Sequence, residues 1–152
     1  MKVNSMRNYL PINICIFCSL LIAGCAFIPF SGGKLEGAIT PIPSEWSNIT
    51  GVDIIQIETN PSDPYSVKLW ITVMDNVPYI HAGTNLSTWV EHLQVNPELL
   101  LENDGKLYKL KTERVTSADE FKRLGEVYKT KYGNYPRNLN IQEVYLYRLL
   151  PR

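Results

Sequence analysis

The residue with the most definite chemistry is Cys25, which ends the stretch Leu20-Leu21-Ile22-Ala23-Gly24-Cys25. A thiol is the most nucleophilic side chain available here, and two small residues, Ala23 and Gly24, stand directly ahead of it. Cys15 and Cys18 are the other two of the 3 cysteines, and they form a C-x-x-C inside an uncharged apolar run, where the spacing is coincidental. The body beyond residue 25 therefore offers no disulfide, no thiolate metal site and no cysteine nucleophile. Its two histidines, His81 and His92, form neither an H-x-x-x-H nor an H-x-x-H pair, so no metal site is expected. No Ser/His/Asp set stands out, and there is neither a Walker loop nor a dinucleotide fingerprint. Asp119 and Glu120 are accounted for by the preference for negative charge in the first turn of a helix.

Lys2 and Arg7 are the only charges ahead of Cys25, and Tyr9 to Gly24 carries none. A short basic region, an apolar stretch of about 7–15 residues and small residues at its end make an export signal. Leu10 to Ala23 falls short of the roughly 20 apolar residues of a membrane span, and Pro11 and Asn13 weaken its start; a plain N-terminal anchor helix is the alternative. Ile22-Ala23-Gly24-Cys25 resembles the lipobox of bacterial lipoproteins. The resemblance implies that residues 1–24 are a signal peptide, that Cys25 becomes the acylated first residue, and that the chain holds membrane lipid through Cys25. Each buried acyl CH₂ contributes about 0.8 kcal/mol, and more than one chain gives stable anchoring. Ala26, rather than Asp, after the cysteine resembles the outer-membrane sorting pattern of Gram-negative cells. The expected location is the cell envelope.

Beyond the signal, 128 of the 152 residues remain, enough for one domain with a real core. With Lys2 and Arg7 removed, 13 Lys plus Arg face 15 Asp plus Glu, a net charge of −2, so no basic excess points to nucleic acid. No internal repeat or low-complexity run is present. Residues 26 to 43, with Gly and Pro throughout, read as a tether, which gives residues 25–43 as the lipidated tether and 44–152 as the domain.

Val52 to Thr59 is rich in β-branched residues and ends at the turn Asn60-Pro-Ser-Asp-Pro. From Ser66 to Val73 the pattern alternates: Val67, Leu69, Ile71 and Val73 face one way, Lys68, Trp70 and Thr72 the other, the period of a strand. Asp75-Asn76 turns the chain into a third short strand, Pro78 to Gly83. Leu86, Trp89, Val90 and Leu93 then follow one helix face, with Asn85 as the expected cap and Pro97 beyond the end. Two strands flank Asn103-Asp104-Gly105, a hairpin signal. Ser117-Ala-Asp-Glu120 is a capping box, Phe121, Leu124, Val127, Tyr128 and Tyr132 line the helix behind it, and Gly133 sits at the C-terminal cap position. Glu143 to Leu150 alternates as a sixth strand. The expected fold is mainly β with two helices, a twisted six-stranded sheet closing on itself.

Residues 52 to 132 resemble the flavin-binding split-barrel group, relatives of pyridoxamine phosphate oxidase and of deazaflavin-dependent nitroreductases. The phrases that carry the likeness are the strand pair, then "YIHAG", a tryptophan helix closing with "NP", and the hairpin "DGKLYKLKTERVT" before a capped helix. The resemblance implies a six-stranded split β-barrel, a homodimer and a cofactor groove between protomers. It implies a phosphate held near the second strand and the loop after the third. The matching residues are Lys68, Thr72, His81, Gly83 and Thr84, with Trp89 packing nearby. Where deazaflavin enzymes of the group have a Gly-Arg-Lys-Ser-Gly-like stretch, this chain has "TNPSDPYS" without a basic residue, and Lys68 alone stands in for the group's cations.

Two expectations follow. The first is an envelope lipoprotein whose split barrel binds a small ligand, an FMN- or deazaflavin-type cofactor among the candidates, or a partner. The second is a membrane-tethered flavin- or deazaflavin-dependent oxidoreductase, in which the ring supplies the chemistry. Haem with His81 or His92 as axial ligand is the remaining cofactor variant. A chain exported unfolded must find its cofactor outside the cytoplasm, and the twin arginines of folded export are missing, with Arg7 alone in that region. That weighs toward the binding protein.

Overall fold

A computed structural model of the chain describes residues 32–83 and 86–152. The signal peptide, the lipidation candidate Cys25, the cap candidate Asn85 and the site candidate Thr84 thus lie outside the described residues. In chain order the elements are β1 (Ala38–Ile39), α1 (Ser47–Thr50), β2 (Ile54–Thr59), β3 (Tyr65–Trp70), β4 (Thr72–Met74), β5 (Val77–Ala82), α2 (Thr88–Val95), β6 (Glu98–Asn103), β7 (Lys106–Arg114), α3 (Ala118–Tyr132) and β8 (Tyr145–Pro151). The six expected strands are present, and two differences raise the number among the described residues to eight. The expected second strand is broken at Ile71 into β3 and β4, and the two-residue β1 pairs in parallel with β7. The one-turn α1 is a third helix; behind Trp46, it packs Ile49 into the core.

The sheet runs β3-β2-β6-β7-β8-β5-β4, antiparallel apart from β1. Because β3 and β4 are consecutive pieces of one strand, the two ends of this order meet and the sheet curls into a barrel. Closure is incomplete. β4 pairs with β5 from Met74↔Val77 to Thr72↔Tyr79, where the ladder stops. Continued by its own register it would set Trp70 opposite His81 and Lys68 opposite Gly83. Instead β3 and β5 part there, and this is the split.

Period-two patterning sorts the side chains onto two faces. Val67, Leu69, Ile71 and Val73 all enter the barrel interior with Ile57, Ile80, Leu101, Leu110 and Leu149. The outer face of β4, β5 and β8 carries Met74, Tyr79 and Leu146, joined by Val144 just ahead of β8, and against it α3 lays Phe121 and Leu124. α3 starts at Ser117, whose Oγ accepts from Glu120 N–H at 3.3 Å, and ends at Gly133 in the left-handed region at φ 78°. The two-residue hairpin turns each hold both residues at positive φ, Asp75 and Asn76 at 52° and 59°, Asp104 and Gly105 at 53° and 70°, the geometry that matches strand twist.

Three local expectations are corrected. Residues 32–43 are docked on the barrel rather than free: Gly32 bridges Ser66, Leu35 is buried with its N–H on Glu58 Oε2 at 2.5 Å, and β1 pairs with β7. Gly and Pro there keep regular structure to the two residues of β1 but do not prevent contact. The helix after β5 starts at Ser87, and Leu86, expected on its apolar face, precedes it and is 85% exposed. Glu120 is more than a first-turn charge. Its carboxylate accepts from Tyr79 Oη at 2.9 Å and from Arg148 Nε at 2.7 Å and is ion-paired with Arg148, which also pairs with Glu113. The Arg148 bond holds the Glu120 carboxyl below its ordinary value, while burial and Glu120 push the Tyr79 phenol up to about 12.

A depressed carboxyl contributes stability that is present above its ordinary value and is lost as pH falls through the folded-state value. Glu120→Gln is expected to lower stability at pH 7 by about 1–3 kcal/mol and to flatten the acid limb of the stability curve. Urea unfolding at several pH values measures both.

Candidate functional site

The split exposes the outer face of β3 beside that of β5. Lys68 and Trp70 alternate with the interior residues of β3, and His81 alternates with Ile80 and Ala82 of β5, so all three side chains share this face. The last turn of α3 crosses above them. Trp70 stacks on Tyr132 with centroids 4.9 Å apart and planes at 15°, Tyr132 meets Tyr128 at 4.6 Å, and His81 meets the Tyr128 ring edge-on at 5.4 Å. The loop between α3 and β8 then folds down over the same face. Together these enclose an open groove of about 910 Å³ lined by Lys68, Trp70, His81, Gly83, Tyr128 and Arg137, with Asn134, Tyr135 and Asn138 at the loop side.

The charge of the groove is one-sided. No carboxylate lines it. Among the described residues neither Lys68 nor Arg137 has an ion-pair partner, whereas Arg123, Arg148 and Arg152 are all paired with carboxylates. Burial lowers the His81 imidazole and raises the Tyr128 phenol, the Arg137 charge opposing the latter. At neutral pH the floor of the groove is thus an uncharged histidine beside a protonated tyrosine. Trp70 keeps 47% of its surface exposed. Such a cleft, with two free cations and an accessible indole, can hold an anionic group at one end and a flat ring at the other.

Of the sequence-derived candidates, Lys68, His81 and Gly83 meet in this groove. Space over Gly83 is open, since an added Cβ would meet nothing within 4 Å. Thr72 and Trp89 do not line it. Thr72 is 3% exposed beneath Tyr132, and Trp89 is 3% exposed inside the barrel, its ring centroid 6.0 Å from that of Tyr147, because α2 plugs the interior rather than the outer face. His92 lies elsewhere, its Nδ1 2.9 Å from Thr59 Oγ1. Arg137 was not anticipated. It is the lone cation of "GNYPRN", a stretch whose only sequence signal is that of a loop. No spacing along the chain links it to Lys68, and only the docking of α3 does so. Among the described residues no group of three or more His, Cys, Asp or Glu is placed to hold a metal, and no helix is long and apolar enough to cross a membrane.

No family profile matches the chain, and no curated protein matches its sequence. Solved structures do match in shape. A NimC/NimA family protein from Clostridium acetobutylicum is 10% identical, with a TM-score of 0.54 over 66% of this chain and 76% of that one. A candidate 5-nitroimidazole antibiotic resistance protein from Bacteroides thetaiotaomicron is 13% identical, with a TM-score of 0.53 over 81% and 89%. ChuZ from Campylobacter jejuni is 11% identical, with a TM-score of 0.57 over 68% of this chain and 50% of its own. At such identities the likeness establishes the fold alone, the split barrel expected from the sequence.

Because burial lowers the folded-state value of His81, folding resists its protonation. The associated stability is present above the ordinary value of about 6.5 and is lost as pH falls toward the folded value. His81→Asn, neutral throughout, is expected to lose less stability than the parent on acidification below about pH 6.5. Thermal melting across pH measures this, and NMR titration of the imidazole is expected to give a midpoint below 6.5.

Proposed function

We propose that this protein is an envelope lipoprotein, anchored through Cys25, whose split-barrel groove binds a small planar ligand carrying an anionic group. A flavin mononucleotide or a deazaflavin is the best match. The observation that carries the reading is the pair of cations without partners, Lys68 and Arg137, sharing one carboxylate-free groove with the accessible ring of Trp70. The donor set fits a flavin phosphate. Lys68, Arg137 and the open backbone at Gly83 line the same groove and supply what an anion needs, and the indole offers the stacking surface. When bound, a flavin supplies hydride or single-electron transfer. The protein's own part is to neutralise the anion, to stack the ring against Trp70, and to shield one side of it with Tyr128 and Tyr135. A tethered oxidoreductase is the second reading, favoured by the neutral His81 and protonated Tyr128 at the groove floor. Both groups could pass a proton at neutral pH. The lipobox-like residues ahead of Cys25 support the anchor.

Titration of FMN into the purified protein, followed by flavin fluorescence, tests the ligand site. Saturable binding is expected, weakened about tenfold or more in each of Lys68→Ala and Arg137→Ala, the worth of one charge-assisted hydrogen bond. Absence of saturable binding to FMN and deazaflavin alike would defeat the reading. For the anchor, the parent is expected in the membrane fraction with acyl mass on Cys25, and Cys25→Ser in the soluble fraction. Identical fractionation of the two, with no acyl mass, excludes it.

A further inference from the structure

Trp70 is half-exposed, yet one face of its ring is already covered. The indole lies on Tyr132, with centroids 4.9 Å apart and planes at 15°, close to parallel. Tyr128 leans against the same pair, 6.0 Å from Trp70 and 4.6 Å from Tyr132. Trp70 lines the groove and Tyr132 does not. Tyr132 therefore lies behind the indole as seen from the groove, and a ligand ring is left the opposite face.

The ring of Tyr132 is itself pinned. Its hydroxyl donates to the Ile71 carbonyl at 2.5 Å, with the Asp53 carbonyl 3.0 Å away. Ile71 is the residue at which β3 ends, and Asp53 stands directly ahead of β2, so the phenol is tied to the sheet at two neighbouring points. Lys131 Nζ sits 5.2 Å from the centroid of the same ring, within reach of its negative face. An exposed side chain without such backing changes rotamer in picoseconds to nanoseconds. A ligand that stacks on it must first arrest it, and that ordering lowers affinity. Backed by a ring tied to the sheet, Trp70 is ordered before any ligand arrives.

We propose that Tyr132 is a positioning residue of the ligand site, acting through Trp70: it fixes the indole so that a planar ligand completes a stack of three rings, Tyr132, Trp70 and ligand. The inference rests on the reading of the groove as a site for a planar anionic ligand, and it deepens that reading at the ring end. Lys68 and Arg137 serve the anion by touching it. Tyr132 touches nothing in the groove, and its effect on affinity exists only while Trp70 is present.

The test is a double-mutant cycle on the full chain, with the parent, Tyr132→Leu, Trp70→Ala and the double variant. Tyr132→Phe is added as the conservative change, and Tyr132→Met takes the place of Tyr132→Leu should the latter not fold. Two quantities are read on each: FMN affinity by flavin fluorescence, and the near-ultraviolet circular dichroism of Trp70, defined as the signal that Trp70→Ala removes. Tyr132→Leu is expected to weaken FMN binding about two- to tenfold, the worth of an aromatic pair, and to diminish the Trp70 signal. Tyr132→Phe, which keeps the ring, is expected to retain most of both. In the Trp70→Ala background Tyr132→Leu is expected to change FMN affinity no further. An equal loss with and without Trp70 means that Tyr132 supports the groove as a whole, and it overturns the proposal. An unchanged affinity, or an unchanged Trp70 signal, in Tyr132→Leu overturns it as well. If the parent itself shows no saturable FMN binding, the ligand reading fails and the three-ring stack with it, while the Trp70 signal still decides whether Tyr132 orders the indole.

Discussion

The carbonyl oxygen of Ile71 accepts Lys131 Nζ at 2.8 Å and the Tyr132 hydroxyl at 2.5 Å, and Lys131 also reaches the Val52 carbonyl at 2.5 Å. A strand carbonyl held by two helical donors is no longer available to a neighbouring strand, and this is where β3 ends and β4 begins. Burial lowers the Lys131 ammonium and raises the Tyr132 phenol to about 12, so the phenol keeps its proton at neutral pH, and a hydrogen bond from a charged group contributes about 1.5–3 kcal/mol. Gly133 ends the helix one residue later, which delivers its last turn onto the break. The split, the aromatic stack over Trp70 and the loop that brings Arg137 all follow from that one anchoring point.

Every described arginine other than Arg137 is held by a carboxylate, a carbonyl or a ring, which makes Arg137 in the groove informative. Arg148 is shared by Glu113 and Glu120, Arg123 meets Asp75, and Arg152 meets Glu98. Arg114 spends its guanidinium on the Val144 carbonyl and on the face of Tyr145, 3.8 Å from the ring centroid. Against this pattern, two cations drawn from distant parts of the chain and left together without a carboxylate represent stored electrostatic attraction. That is what a binding site for an anion requires before its ligand arrives.

What the sequence made legible was whatever is local. The alternation of Val67, Leu69, Ile71 and Val73 survives the break at Ile71, because a kinked strand keeps its two faces. Ser117 and Gly133 bound α3 as their residue types dictate, and Asp104-Gly105 turns its hairpin. The illegible parts are those set by residues far away in the chain. Nothing in "KLWITV" announces that Lys131 and Tyr132 will take the Ile71 carbonyl, nothing near Glu120 foretells Arg148, and Arg137 joins Lys68 only once α3 is seated. Thr72 and Trp89 belong to the same class: their types suit a phosphate or a ring, but the packing of Tyr132 and of α2 decides where they lie. In residues 32–43 composition misled in another way, since Gly and Pro mark irregular backbone and say little about docking.

The Gly32–Ser66 pair has a mechanical side. If Cys25 carries the proposed lipid, it stands seven residues before Gly32, at most about 25 Å of extended chain, and the barrel would be held on a short leash. A pull exerted through such an anchor would load this pair, the first described contact of the chain with the barrel, from the end of an edge pairing. Loaded from its end, such a pairing parts one link at a time, as a zipper does, and resists far less than strands sheared along their length. Tension between bilayer and barrel would therefore be relieved at the border of the groove, leaving the closed wall of β2, β6, β7 and β8 undisturbed.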